Sequence, residues 1–155
     1  MLEFEGDPDH IVGRRSLPLD HAAILSYARI NNSVNHPTAI LRRAAVEAVG
    51  GYRSVHHMED YDLFARLLAG GYRFQNLAEP LLLFRSGEAM FRRRAAPGML
   101  RAEQRMQRNL VAYGLVSRPR SWVNLAARSA FRALPPGLLR RTYGRLFYRP
   151  ESPRG

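Results

Sequence analysis

Apolar residues along the chain fall into short blocks whose period changes from one block to the next. Over 21–30, Ile24, Tyr27 and Ala28 recur at helical spacing behind Asp20. An Asp there can accept from the free N–H groups of a first turn, so the pattern predicts a short capped helix. Asn31-Asn32-Ser33 ends it. Residues 36–41 (His-Pro-Thr-Ala-Ile-Leu) read as a short buried strand with Pro at its entry. Residues 42–49 give one or two Ala-rich helical turns, closed by Gly50 in the left-handed conformation. A loop over 52–58 follows. From 60 to 69, Leu63, Phe64, Leu67 and Leu68 share a face, while Asp62 and Arg66 stand four apart on another, which predicts a helix. Gly70-Gly71 stops it. Residues 72–76 alternate like a strand, and Leu81-Leu82-Leu83-Phe84 is a continuous apolar run suited to a buried strand.

Beyond Arg85 only helical periods remain. One helix is predicted over 98–113, with Met99, Met106, Leu110 and Tyr113 inward and Arg101, Arg105 and Arg108 outward. A second, over 121–133, sets a stripe of Trp122, Leu125, Ala126 and Ala130 against Asn124, Arg128 and Arg132. A third is predicted over 138–148 after the Pro135-Pro136-Gly137 break. Residues 1–19 show no period and read as irregular. Asp7-Pro8-Asp9 has Asp-x-Asp spacing, but the central Pro makes it a turn. The organisation expected is a mixed α/β unit over 1–95, a helical extension over 96–150 and a loose tail over 151–155.

Composition narrows the functions open to such a chain. Its 155 residues are 46% hydrophobic, enough for a packed core. The net charge is +11, and all 24 basic residues are Arg. Arg suits phosphate, so anionic partners are expected: a nucleotide diphosphate, an anionic membrane face or nucleic acid. Nucleic acid is the weaker alternative, because the Arg are spread and no nucleic-acid-binding motif is present. Cys is absent, which excludes disulfides, thiolate metal sites and a Cys nucleophile. No signal peptide or membrane-spanning run is found, so a cytoplasmic chain is expected, peripheral on the inner face of the plasma membrane if residues 121–149 contact lipid.

The densest chemistry is Glu59-Asp60-Tyr61-Asp62, three carboxylates in four positions at a loop-to-helix junction. A carboxylate there can be a general base, with Asp60 the better placed, or a helix cap. Asp62 reads as structural through Arg66. Gly50 and Gly51 let a ligand approach the backbone, although a C-cap explains Gly50 equally well. His36 fits packing or positioning at a substrate edge. Arg85, Arg92 and Arg93 fit either phosphate contacts or a solvated basic loop.

Read in order, these pieces resemble family 2 glycosyltransferases of the GT-A fold. The resemblance is carried by His36-Pro37-Thr38, Gly50-Gly51-Tyr52, Glu59-Asp60, Asn76-Leu77-Ala78-Glu79-Pro80, Phe84-Arg85 and Arg92-Arg93, preceded by Arg15-Ser16-Leu17-Pro18. The nearer likeness is to bacterial exopolysaccharide enzymes of the amylovoran type. It implies the C-terminal, acceptor-side part of the fold followed by a helical tail. It also implies an inverting, single-addition transfer from a nucleotide sugar to a polyprenyl-linked saccharide in cell-surface polysaccharide synthesis. Asp60 would be the base, Glu59 its neighbour, and His36, Gly50, Gly51, Arg85, Arg92 and Arg93 would line the substrates. The family's N-terminal half, with an Asp-x-Asp that holds Mg or Mn, has no counterpart in the sequence. The expectation is therefore a truncated form with no cofactor of its own, which in isolation neither binds nucleotide sugar tightly nor transfers sugar; measurable transfer abolished by Asp60→Asn would overturn that expectation and identify the base. The alternative is a non-catalytic basic fragment that binds membrane or nucleic acid.

Overall fold

The computed structural model describes residues 1–4, 6–85, 98–132 and 148–149. It is a mixed α/β structure. Strands β1 (Leu2–Phe4) and β2 (Ile11–Arg15) pair antiparallel as a hairpin, and helix α1 follows at His21–Ala28. A 3-10 turn (His36–Thr38) precedes α2 (Arg43–Ala48) and α3 (Glu59–Ala69). Strand β3 (Leu83–Arg85) runs parallel to β1, and helices α4 (Met99–Ala112) and α5 (Arg118–Arg132) come next. Strand β4 (Tyr148–Arg149) closes a four-stranded sheet of order β3-β1-β2-β4. Residues Arg92 and Arg93, the helix expected over 138–148 as far as 147, and the tail after 149 lie outside the described residues.

Helix α3 is the centre. Residues 61–68 are all buried, and side chains of α3 belong to each of three apolar clusters. Tyr61 and Ala65 pack on Met99, Ala102, Met106 and Leu110 of α4. Leu63, Phe64 and Leu67 meet Ala45 of α2, and Leu68 meets Ile24 and Ala28 of α1. A helix enclosed on every side cannot leave its charged pair in water. Asp62 is 0% and Arg66 6% exposed, and Arg66 Nε donates to Asp62 Oδ2 at 2.9 Å. The pair also reaches outward. Asp62 Oδ1 accepts from Asn109 Nδ2 (2.8 Å) and from the Tyr113 hydroxyl (2.7 Å) at the end of α4. The other two guanidinium nitrogens donate to the carbonyls of Val49 and Gly51. One ion pair thus joins three segments, with its hydrogen-bonding capacity largely taken up, as a buried pair requires.

Several predicted elements hold. Asp20 Oδ1 accepts from Ala23 N–H at 2.9 Å and caps α1. Gly50 takes φ 80° after α2, and Gly114 takes φ 72° after α4. Asp7 makes the predicted turn, accepting from Asp9 N–H through its side chain and from His10 N–H through its carbonyl.

Others do not. Residues 1–19 contain the β1–β2 hairpin, whose strands are too short, and too irregular at the Glu3/Phe4 register shift, to show a period. Residues 36–41 are not a buried strand. Pro37 opens a 3-10 turn in which Ala39 N–H donates back to His36 O, and Ile40 is 98% exposed. Residues 72–76 keep the alternation, with Tyr72 and Phe74 half-buried, but form no ladder. Their N–H groups go to Leu67 O, His21 Nδ1 and Leu19 O instead. β3 is an edge strand with Leu83 exposed rather than a buried one. Tyr148, expected in a helix, is in β4.

The largest reversal is α5. Trp122, Ala126 and Ala130 of the predicted inner stripe face solvent, and Leu125 is half-buried. Asn124 is buried, and Arg128 lies partly buried against α4. Arg128 forks onto buried Glu103 (2.7 and 2.6 Å), and Asn124 Nδ2 donates to Gln107 Oε1 at 3.3 Å. A charge-assisted, bidentate pair is strong enough to set which face turns inward.

Replacing Arg66 with Met strands the Asp62 carboxylate and frees the Gly51 carbonyl. The expected cost is about 3–5 kcal/mol of folding free energy by chemical denaturation. A change under about 1 kcal/mol would show that the pair does not organise the fold.

Candidate functional site

The candidate site is built where α1 ends and α3 begins. Val55 and Met58 are buried anchors, and between them His56 and His57 turn outward. His57 is left-handed at φ 59°, the one non-glycine in that region among the described residues. This reversal aims the start of α3, and with it Glu59 and Asp60. Glu59 is exposed and Asp60 half-buried.

Asp60 does not cap the helix. The N-cap position is Met58, and it makes no side-chain cap bond. Asp60 Oδ1 accepts from the adjacent Tyr61 N–H at 2.8 Å, and Oδ2 accepts from Asn32 Nδ2 at 2.8 Å. Asn32 is itself fixed, since its Oδ1 accepts from Val34 N–H at 3.2 Å. A carboxylate that accepts one hydrogen bond at each oxygen has lone pairs left over.

The loop that carries Asn32 is held from below. The carbonyls at and just after the end of α1 lack helical partners, and three side chains supply them. Tyr61 OH donates to Ala28 O (2.6 Å), Asn124 Nδ2 to Arg29 O (2.8 Å) and Arg128 Nη1 to Ile30 O (3.0 Å). Arg128 Nη1 also reaches Asn31 Oδ1 at 3.2 Å. The inward polar face of α5 therefore steadies the segment that positions Asp60. Burial raises the Tyr61 phenol well above its ordinary pKa. The Tyr113 phenol is raised too, first by burial and then by its hydrogen bond to Asp62.

Around this carboxylate the other predicted residues separate. His36 Nε2 lies 2.8 Å from Tyr52 OH, and its ring meets the Phe64 ring edge-on at 6.1 Å. Both His36 and Tyr52 are exposed, so His36 sits on the surface over α3. Gly51 has φ 65°, and a Cβ built there would meet nothing within 4 Å, so its backbone is open to an approaching molecule. Arg66 fixes the turn from inside through the Val49 and Gly51 carbonyls. Arg85 is not brought into this group: it lies on β3 with its guanidinium 5.4 Å from the Phe4 ring centroid, a cation–π contact. Arg92 and Arg93 lie outside the described residues. A groove of about 1090 Å³ lies elsewhere, between β2, α1 and residues 72–82, and Asp60 does not line it.

Sequence reasoning missed Asn32, Tyr52 and the α5 pair. Asn32 could have been suspected, because an Asn after a helix has donors that its own turn does not use. The Asn124–Arg128 spacing of four was visible, but it read as a solvated face.

Comparison with known proteins finds relatives over most of the chain. The chain is 30% identical over 143 residues to an uncharacterised glycosyltransferase of Haemophilus influenzae, covering 92% of this chain and 53% of that protein. It is 27% identical over 129 residues to the amylovoran biosynthesis glycosyltransferase AmsE of Erwinia amylovora (83% and 48%). It is 26% identical over 133 residues to the UDP-Gal:alpha-D-GlcNAc-diphosphoundecaprenol beta-1,3-galactosyltransferase of Escherichia coli (86% and 48%). The chain spans about half the length of these relatives. No family model matches it, and no solved structure matches it. Over most of its length the chain is a homologue of glycosyltransferases.

The raised Tyr61 phenol gives a pH signature. The folded state keeps this proton after the unfolded chain loses it, so the stabilisation is whole below about pH 10 and declines as pH rises further. One group contributes at most about 1.4 kcal/mol per pH unit to that decline. Thermal melts from pH 8 to 11 should show it, and Tyr61→Phe should flatten the alkaline limb. An unchanged limb in that variant would place the titrating group elsewhere.

Proposed function

We propose that this chain supplies the acceptor side of an inverting, single-addition glycosyltransferase. It would move a sugar from a nucleotide sugar to a lipid-linked saccharide during cell-surface polysaccharide assembly, at the inner face of the plasma membrane. The kind of substrate follows the activity of the Escherichia coli relative. The observation that carries the reading is the Asp60 carboxylate, half-buried in the first turn of α3 and held by Asn32.

In this reaction the acceptor hydroxyl oxygen attacks the anomeric carbon from the face opposite the diphosphate. The new C–O bond forms as the bond to the diphosphate breaks, and the nucleoside diphosphate leaves with that electron pair. Asp60 takes the hydroxyl proton as the bond forms. Asn32 aims the carboxylate, so it is a positioning residue. Glu59, exposed one position earlier, adds negative charge beside the base. His36 and Tyr52 form an exposed polar edge for a saccharide to rest against. A divalent metal would neutralise the departing diphosphate when bound. Among the described residues no three His, Asp or Glu side chains converge to hold one.

The test is sugar transfer from a panel of nucleotide sugars to a diphosphate-linked saccharide. Asp60→Asn should lower kcat by about 10²–10⁴ with the melting temperature unmoved. Asn32→Ala should lower kcat by a smaller factor. An Asp60→Asn variant that keeps wild-type kcat removes Asp60 from the chemistry.

A further inference from the structure

Helix α5 is turned so that its polar residues serve the interior and its apolar ones meet solvent. Asn124 and Arg128 hold the end of α1. Trp122, Val123, Ala126, Ala127 and Ala130 face outward, with Trp122 71% and Val123 61% exposed. Spacings of three and four place these five in one continuous stripe. A helix end that water alone surrounds has no use for an exposed Trp beside Val.

We propose that this stripe of α5 docks on an anionic lipid bilayer, with the helix lying in the headgroup plane. Charge selects this occupant. Helix α5 contains no Asp or Glu, and its first turn carries exposed Arg118 and Arg120. Arg118 stands one turn before Trp122, and Arg120 one turn before Val123, so the cations border the apolar stripe. From Gln104 to Pro150 the sequence holds ten Arg and no acidic residue. An apolar stripe edged by cations, with Trp at the boundary, matches a surface that offers acyl chains beneath anionic headgroups. Nucleic acid would use the Arg and leave the Val and Ala idle. No helix among the described residues is long and apolar enough to cross a membrane, and α5, with 15 residues, suits lying on one. The inference stands on this face alone and does not depend on the transferase reading.

Trp122 is the sole Trp in the chain, so intrinsic fluorescence reads this site directly. The 155-residue chain is mixed with phosphatidylglycerol–phosphatidylcholine vesicles, with pure phosphatidylcholine vesicles as the control. The expected result is co-sedimentation with the anionic vesicles, a blue shift of Trp emission and quenching by brominated acyl chains. Trp122→Glu, at an exposed position, should keep its circular dichroism and lose about ten-fold or more in partitioning. Arg118→Gln with Arg120→Gln should lose roughly thirty-fold and most of the salt dependence. Three results each overturn the proposal: no sedimentation, sedimentation with unmoved Trp emission, or a Trp122→Glu chain that binds like the wild type. Tight binding to duplex DNA with vesicles ignored overturns it as well. Sugar transfer is measured separately, so a failure here leaves the role of Asp60 to its own test.

Discussion

The buried Asp62–Arg66 pair is the constraint on which the rest of the structure depends. Two charges in the middle of an enclosed helix are costly to desolvate, and they are tolerated only where further hydrogen bonds engage them. Here those bonds come from three places at once: the turn after α2, the last turn of α4 and the pair itself. The same requirement that keeps the charges satisfied fixes the Gly50–Gly51 turn and the end of α4 relative to α3. Because Asp60 lies in the first turn of α3, the pair sets the frame in which that carboxylate is presented.

A second polar system works from the other side. The end of α1 exposes carbonyls, and Asn124 and Arg128 reach across from α5 to satisfy them. Asn32, just beyond, then meets Asp60. Residues nearly a hundred positions apart thus converge on one carboxylate without touching it. The price of this arrangement is an α5 whose outer face is apolar, which ties the geometry of the site to the chemistry of the surface.

Much of this was legible in the chain. Asp20 as a cap, Gly50 and Gly114 as helix ends, the α3 and α4 periods and the Asp62–Arg66 spacing all follow from local rules, and the structure keeps them. Pro37 could be read as a strand entry because Pro suits both the start of a strand and the start of a 3-10 turn, and the structure takes the turn, with Ala39 N–H returning to His36 O. The other failures depended on partners distant in sequence. Leu81–Phe84 looked buried because an apolar run does not reveal that its strand will sit at a sheet edge. The α5 stripe was assigned to the wrong side because apolar residues usually turn inward, and the acidic partner that reverses the rule, Glu103, lies on another helix. At the candidate site, Asp60, Gly50 and Gly51 could be singled out from sequence as candidates. Asn32 was not, since its use appears only once α1 and α3 are packed. The resemblance to glycosyltransferases, read from ordered short motifs, agrees with homologues at 26–30% identity.

The central claim is that Asp60, aimed by Asn32, accepts the proton of an acceptor hydroxyl. A crystal structure of the protein with a nucleoside diphosphate and a diphosphate-linked saccharide tests it most directly. The account predicts an acceptor hydroxyl about 2.6–3.2 Å from an Asp60 carboxylate oxygen, with the Asn32 bond kept. A saccharide seated with no hydroxyl near Asp60, and another carboxylate at the reacting oxygen, would contradict it.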